Sequence, residues 1–224
     1  MHPIAVVGSY NARGIGARQR PWLVRSAAVD RLTDADADAL RTLGVTLILD
    51  LREHSEHEPS SHGIPVYPQP LYGEEPPAAG SLETVYAELL ERRGTELAGA
   101  VRVVAEHEGT VLVHCAAGKD RTGLVVALCR LVAGDSREDI LADYALSERD
   151  VVPARTALVE AQLTRSGLTG AARVEARRLH LLSPEAALAD ALDRIDRHGG
   201  ASEFLIRHGL PRLALERLAE RSLR

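Results

Sequence analysis

The sequence predicts an α/β fold, a three-layer α/β/α sandwich around a mostly parallel sheet with extra helices at its C-terminal end. Three observations carry this. Val45–Asp50 "VTLILD" and Thr110–Val113 "TVLV" have the length and β-branching of buried strands. Helical patterns flank both runs, and alternation of helix and strand favours parallel pairing. From Ser136 onward the periodicity is wholly helical.

The elements follow from local signals. Thr33 is placed to cap a helix over "TDADADALRTLG", with Leu40 and Leu43 facing inward and Gly44 closing it. The segment after Asp50 holds six of the eleven prolines, so it admits at most an edge strand near Ile64–Tyr67. Ser81 is expected to cap a helix to about Arg93, and Thr95 another to about His107. Gly109 ends that region before the Thr110 strand. "TGLVVALCRLVAG" is apolar nearly all round, which marks a helix buried between layers. Ser183-Pro184 reads as an N-cap followed by proline in the first helical position, and Gly199 and Gly209 as helix ends. The whole chain, 1–224, reads as one domain, with about 150–182 as a candidate helical lid and 183–224 as helices packed on the core.

Composition removes several functions. Hydrophobic residues make up 45 % of the chain, enough for a core and too many for disorder. The longest apolar stretches are about half the ~18–20 residues of a membrane span. Net charge is −5 and aromatic residues make up 3 %, which leaves neither the basic footprint nor the stacking platforms of a nucleic-acid binder. Two cysteines and no secretory leader pattern predict a cytoplasmic protein. Cys129 would lie about 10 Å up the helix from Cys115, out of disulfide reach.

"VLVHCAAGKDRTG", Val111–Gly123, carries the chemistry. A strand ending in a tight loop that opens a helix presents unpaired N–H groups and the positive end of the helix dipole to an anion. Gly118 lets the loop curl, and the same field favours the thiolate of Cys115. Arg121 can fork onto two phosphate oxygens, and Thr122 can donate to the sulfur. Ala116, Ala117, Gly118, Lys119, Asp120, Arg121 and Thr122 would then line a phosphate site above a nucleophile. A triphosphate-binding loop does not fit, because Val113 stands where glycine is required and Asp120 follows Lys119. Gly14-Ile15-Gly16 is a fragment of a dinucleotide fingerprint whose third glycine is Gln19. Cys129, among Val, Ala and Leu, reads as core.

His114-Cys115-x-x-Gly118-x-x-Arg121-Thr122 resembles the signature of the cysteine-dependent protein tyrosine phosphatase superfamily. "HCAAGKDRTG" is most similar to its bacterial and fungal tyrosine/serine phosphatase-like branch. "NARGIG" at Asn11–Gly16 is similar to that branch's N-F-R-D-L-G opening, with Ala12 and Gly14 departing from it. The block through Asp50-Leu51-Arg52 and Glu56 resembles its N-terminal part, and "EFLIRHGL" its C-terminal helices. The resemblance implies attack of Cys115 on phosphorus, stabilisation by Arg121 and the loop amides, a phosphocysteine, and its hydrolysis without metal or organic cofactor. It implies phosphorylated proteins or small phosphomonoesters as substrates, with phosphate or vanadate held inside Cys115–Arg121.

The general acid is less clear-cut. No aspartate lies between Asp50 and Asp120, which excludes a donor on a loop a few dozen residues before the cysteine. Asp120 is favoured and Asp50 is the other candidate, whose alternative role is to orient Arg52 or Arg121 by a salt bridge. His114 is expected to steady the loop. His54, His57 and His62 read as a solvated segment rather than a metal site. Arg155, Arg165, Arg173, Arg177 and Arg178 form either an exposed face paired with acids or cations over the pocket. A non-catalytic phosphate-binding module and a sulfurtransferase are the readings from other classes, and a monomer is expected.

Overall fold

The computed structural model describes residues 1–221, so residues 222–224 of the expected C-terminal helices lie outside the description. Its strands are β1 (His2–Pro3), β2 (Arg13–Ala17), β3 (Arg20–Ser26), β4 (Val45–Asp50), β5 (Val66–Pro68) and β6 (Thr110–His114). They form one sheet in the order β1-β2-β3-β6-β4-β5. β3, β6, β4 and β5 run parallel. β1 and β2 add an antiparallel flank. Because β6 and β4 are central and parallel, their C-terminal ends, His114 and Asp50, stand side by side. That edge is where an open α/β sheet binds ligands.

The helices are α1 (Asp34–Thr42), α2 (Leu82–Arg92), α3 (Gly94–Glu106), α4 (Asp120–Val132), α5 (Arg137–Arg165), α6 (Gly170–Leu181), α7 (Glu185–Arg197), α8 (Gly200–Arg207) and α9 (Arg212–Arg221). The layers are unequal. One face of the sheet is covered by α1, through Ala37 and Leu40 against Val24, Ile48 and Leu112. The other carries α4, whose Leu124–Cys129 are all buried, surrounded by α3, α5, α8 and α9. Leu188, Leu192, Phe204, Leu205 and Leu218 of the last three helices share the cluster that holds Val111 and Val113 of β6. Burying such side chains contributes ~1.5–3 kcal/mol each, so the C-terminal helices stabilise the sheet layer directly. Among the described residues, no helix is long and apolar enough to cross a membrane.

Several ends fall where the local chemistry put them. Thr33 caps α1 with Asp36 reciprocating, and Gly44 follows it at φ +87°. Ser81 and Ser136 cap α2 and α5 through the amides of Thr84 and Asp139. β5 is the edge strand, displaced slightly from Ile64–Tyr67.

Two expectations need correction, on Thr95 and Ser183. Thr95 does not cap α3, which already begins at Gly94. Only Arg93 separates it from α2, and that side chain donates to the Leu71 carbonyl at 2.9 Å. Ser183 does not cap α7: Pro184 takes the cap position. The Ser183 amide donates to Glu148, and its hydroxyl is buried without a partner. Gly14 and Gly16 belong to β2 in an antiparallel hairpin, so the fragment has no strand-to-helix turn on which to hold a dinucleotide. A Cβ on Gly14 would lie 2.4 Å from the His2 ring, which gives this departure a packing reason.

Candidate active site

β6 delivers His114 and Cys115 to the edge of the sheet, and α4 starts at Asp120 with Arg121 and Thr122 in its first turn. The intervening loop fits because position 118 is glycine. Its φ is +64°, and a Cβ there would come within 2.1 Å of the Ser26 carbonyl oxygen.

The carbonyls of the loop each have a partner. The Cys115 carbonyl lies 3.3 Å from His114 Nδ1, and that of Ala116 accepts from the Ala28 amide at 3.3 Å. Asn11 Nδ2 donates to the carbonyls of Ala117 and Gly118, each at 3.0 Å. Gly118 also accepts from Arg25 Nη2 at 2.7 Å, and Lys119 from the Gly123 amide at 2.7 Å. In a trans peptide the N–H points opposite to the C=O of the same plane. Pulling these carbonyls outward therefore turns the amides of residues 116–120 into the loop, above the sulfur.

Burial of Cys115 would raise its thiol pKa. The Arg121 guanidinium, with the hydroxyl and amide of Thr122, outweighs that and holds it below the ordinary value. The Thr122 hydroxyl is buried and makes no hydrogen bond of regular geometry elsewhere, so it is available to the sulfur.

Arg121 is held by Glu56, whose two carboxylate oxygens accept from Nη1 and Nη2 (the latter at 2.7 Å). The second Nη1 hydrogen goes to the Leu51 carbonyl at 3.4 Å. That accounts for three of the five guanidinium N–H donors and leaves Nε–H with one Nη2–H, a fork matched to two phosphate oxygens. Tyr72 lies under the same group, 4.7 Å from its ring centre to the guanidinium carbon. Burial pushes the Glu56 carboxyl up, but Arg121 pulls it below the usual range, so it stays ionised. A short 3-10 turn, His54–Glu56, places it.

The two aspartates differ sharply. Asp50 is buried and wrapped by Arg52, through Nε at 3.0 Å, Nη2 at 2.8 Å and the backbone amide at 3.0 Å. Burial opposes its ionisation, and Arg52 overcomes that, keeping its pKa low. Arg52 reaches on to Asp30 at 2.6 Å. His114 Nε2 stands 3.6 Å from Asp50, and burial drives the ring down to about 4, so it is neutral. Asp120 is half-exposed. Its Oδ1 accepts from Tyr86 Oη at 2.9 Å and from Lys119 Nζ at 2.7 Å. Tyr86 in turn is bonded to Tyr144 at 2.7 Å.

Lys119 is fully buried, and its ammonium also donates to the carbonyls of Leu179 and Leu182 at 2.9 and 2.8 Å. It ties the loop to the end of α6 and gives the cradle an amide rather than a charge. His54 and His57 meet edge to face, and His62 accepts from the Ile64 amide. Arg173 and Arg177 pair with Glu160, and Arg178 with Glu83. Arg155 differs: its Nε is buried without a partner, and it bonds to Tyr10, which itself senses the charge of Cys115. Hollows of about 630 and 750 Å³ elsewhere on the surface include no residue of the cradle.

Asn11, Arg25, Tyr72 and Tyr86 carry no local sequence signal for these positions. Asn11 stood only within a resembling opening motif, and Glu56 only within a resembling block.

A mostly parallel α/β sheet that ends in a tight loop, with a buried cysteine of lowered pKa at its base and an arginine fork at its rim, has the geometry of a cradle for an anion. Residues 6–224 match the tyrosine phosphatase family, and the chain belongs to it. It is 34 % identical over 139 residues to a tyrosine-protein phosphatase of Nostoc commune, covering 55 % of this chain and 47 % of that one. The chain thus spans about half the length of that relative. It is 30 % identical over 191 residues to the triple specificity protein phosphatase PtpB of Mycobacterium tuberculosis, covering 65 % and 69 %. A Cupriavidus necator protein is 30 % identical over 239 residues, covering 93 % and 84 %.

Proposed function

We propose that this protein hydrolyses phosphomonoesters through a phosphocysteine on Cys115, with phosphotyrosine-type protein substrates leading. What supports the reading is the loop itself, whose carbonyls are held from behind by Asn11 and Arg25 while Arg121 and Thr122 lower the pKa of the buried sulfur. The thiolate attacks phosphorus and the ester oxygen leaves. Charge that develops on the equatorial oxygens is met by the amides of residues 116–120 and by Arg121, donors already in place before reaction. Water then attacks the phosphocysteine, releasing phosphate and the thiolate. Ala116, Ala117, Gly118, Lys119, Asp120 and Thr122 serve through the backbone turn they form, and His114 steadies it as a neutral ring. None of these steps calls on a metal or an organic cofactor.

Asp120 is the general acid in this reading. Both of its partners sit on Oδ1, which leaves Oδ2 to carry the proton to the leaving oxygen. Asp50 is a poor donor because Arg52 occupies both of its oxygens, and it serves to fix Arg52 and the end of β4. The Tyr72 ring lies 4.7 Å from the Arg121 guanidinium and sets an aromatic surface beside the fork, which supports a phenolic leaving group. The M. tuberculosis relative is named for triple specificity, which supports a broad range here. A small-molecule phosphomonoester is the second reading, favoured by Arg155 standing beside Tyr10 with an unused donor. On that reading the 150–182 hairpin acts as a lid over the cradle. We take the chain to act as a cytoplasmic, monomeric single domain.

Phosphate release from p-nitrophenyl phosphate by the parent protein, set beside Cys115→Ser, tests the mechanism. Turnover is expected from the parent and none from the variant, and turnover by the serine form would sink the nucleophile assignment. A release panel over phosphopeptides, phosphoinositides and nucleotides tests the substrate class, and a hundredfold preference for a metabolite would overturn the protein-substrate reading.

A further inference from the structure

We propose that Asn11 is a positioning residue for catalysis, a clamp that aims the amides of Gly118 and Lys119 at the transferred phosphoryl group. The inference rests on the phosphatase reading and goes beyond it to a residue from a distant strand edge. Asn11 is buried, and its backbone is left-handed at φ 58°, the one non-glycine residue with positive φ among the described residues. Asparagine tolerates that region better than most residues. The conformation is held on both sides, since the Ala27 amide donates to the Tyr10 carbonyl and the Ile4 amide to the Ala12 carbonyl, each at 3.0 Å.

The side-chain amide can be oriented only one way. Arg13 Nη1 donates to Oδ1, so Nδ2 faces the two loop carbonyls. A flipped amide would set oxygen against two oxygens and N–H against a guanidinium. Arg13 is itself fixed by Asp143 at 2.8 Å and by Ser147 at 3.0 Å, both on α5. Arg25 shares Asp143 at 2.8 Å and donates to the same Gly118 carbonyl as Asn11. The peptide planes 117–118 and 118–119 are thus gripped from behind by groups anchored on α5.

This matters because the planes at a glycine are the ones most free to rotate. Without the clamp, either plane can flip and present a carbonyl to the phosphoryl oxygens. Ground-state phosphate has other holds, whereas the trigonal-bipyramidal transition state needs every equatorial donor in place. Loss of the clamp is therefore expected in kcat rather than KM.

The test uses Asn11→Gly, which keeps the left-handed backbone, and Asn11→Asp, which keeps the shape but turns an acceptor toward two carbonyls. Each is read by kcat and KM on p-nitrophenyl phosphate and by inhibition constants for vanadate, which adopts the transition-state geometry, and for inorganic phosphate. The expected result is a fall in kcat of ~10²-fold with KM moving less than about threefold, the scale of a lost oxyanion donor. Vanadate should weaken in proportion to kcat, and phosphate far less. A folded Asn11→Gly with parental kcat and vanadate affinity would overturn the clamp, and so would equal weakening of vanadate and phosphate. Should Asn11→Asp fail to fold, Asn11→Gly decides the matter alone. Turnover by Cys115→Ser would instead sink the phosphatase reading, leaving the clamp to be judged on vanadate affinity.

Discussion

Cys115 and Cys129 belong to one strand–loop–helix unit, and both are buried. Burial alone would push both thiols up. At Cys129, in the middle of α4, it does so to about 12, with only Arg221 opposing it. At Cys115 the helix has just begun, and Arg121 with Thr122 reverses the sign. The same residue type thus has its thiol pKa moved in opposite directions according to the charge and donors beside it. Exposure does not separate the two, but the Arg121 charge and the Thr122 donors do.

The strongest way to break this contrast is to exchange each sulfur for oxygen. Cys115→Ser should lower turnover of p-nitrophenyl phosphate by ~10⁴-fold or more, because an alcohol is not ionised at neutral pH. Cys129→Ser should leave kcat within about twofold and instead lower stability by ~1–3 kcal/mol, the cost of a hydroxyl buried among apolar groups. Equal loss of activity in both would show that α4 packing, not the local field, governs the site. Steady-state kinetics alongside urea unfolding separates these outcomes.

Asp120 sharpens the picture on the acid side. Asp120→Asn should slow phenyl or alkyl phosphate by ~10²–10⁴-fold, since those leaving groups need a proton, and p-nitrophenyl phosphate much less. If Asp50→Asn produces this pattern while Asp120→Asn loses all substrates equally, the two roles are exchanged.

Next in size is the grip on Arg121. Arg121→Lys keeps the charge but loses the fork, and kcat should fall by ~10²-fold. Glu56→Gln keeps the shape of the partner while removing its charge, and a loss of about tenfold is expected, with the rise of kcat/KM on the acid side displaced. An unchanged Glu56→Gln would mean that Tyr72 and the Leu51 carbonyl suffice to hold the guanidinium.

The smallest effect lies in stability against pH, where the two cysteines should act in opposite directions. The folded pKa of Cys115 is lowered, so the unfolded chain binds more protons there up to about pH 9, and stability rises with pH through that window and is lost as pH falls. The folded pKa of Cys129 is raised to about 12, so its contribution is present below about pH 9 and is lost as pH climbs to 12. Cys129→Ala should therefore flatten the alkaline decline in melting temperature, and Cys115→Ser the rise below pH 9. Parallel curves for the parent and both variants would refute the assignment of the two shifts.

The cradle was legible in the sequence because it is local. Cys115, Gly118, Arg121 and Thr122 share one strand end, one turn and one helix start, so their spacing alone sets where they lie. The central strands β4 and β6 were legible for a similar reason, as uninterrupted β-branched runs. β2 and β3 were not. Gly14 and Gly16 dilute the one and Pro21 with flanking arginines the other, and both owe their extended form to pairing rather than to propensity. The same limit hides the groups that aim the cradle. Glu56 lies 65 positions from Arg121, Arg25 lies 93 from Gly118, and Asn11 lies 107 from it. Their approach depends on strand order and on α5 closing over the sheet, which no short-range pattern encodes. Sequence by itself therefore determined where Cys115, the Gly118 turn and Arg121 lie relative to one another. Only the tertiary structure decided which buried partners hold the loop carbonyls from behind, which aspartate keeps an oxygen without a side-chain partner, and that Lys119 turns to the end of α6.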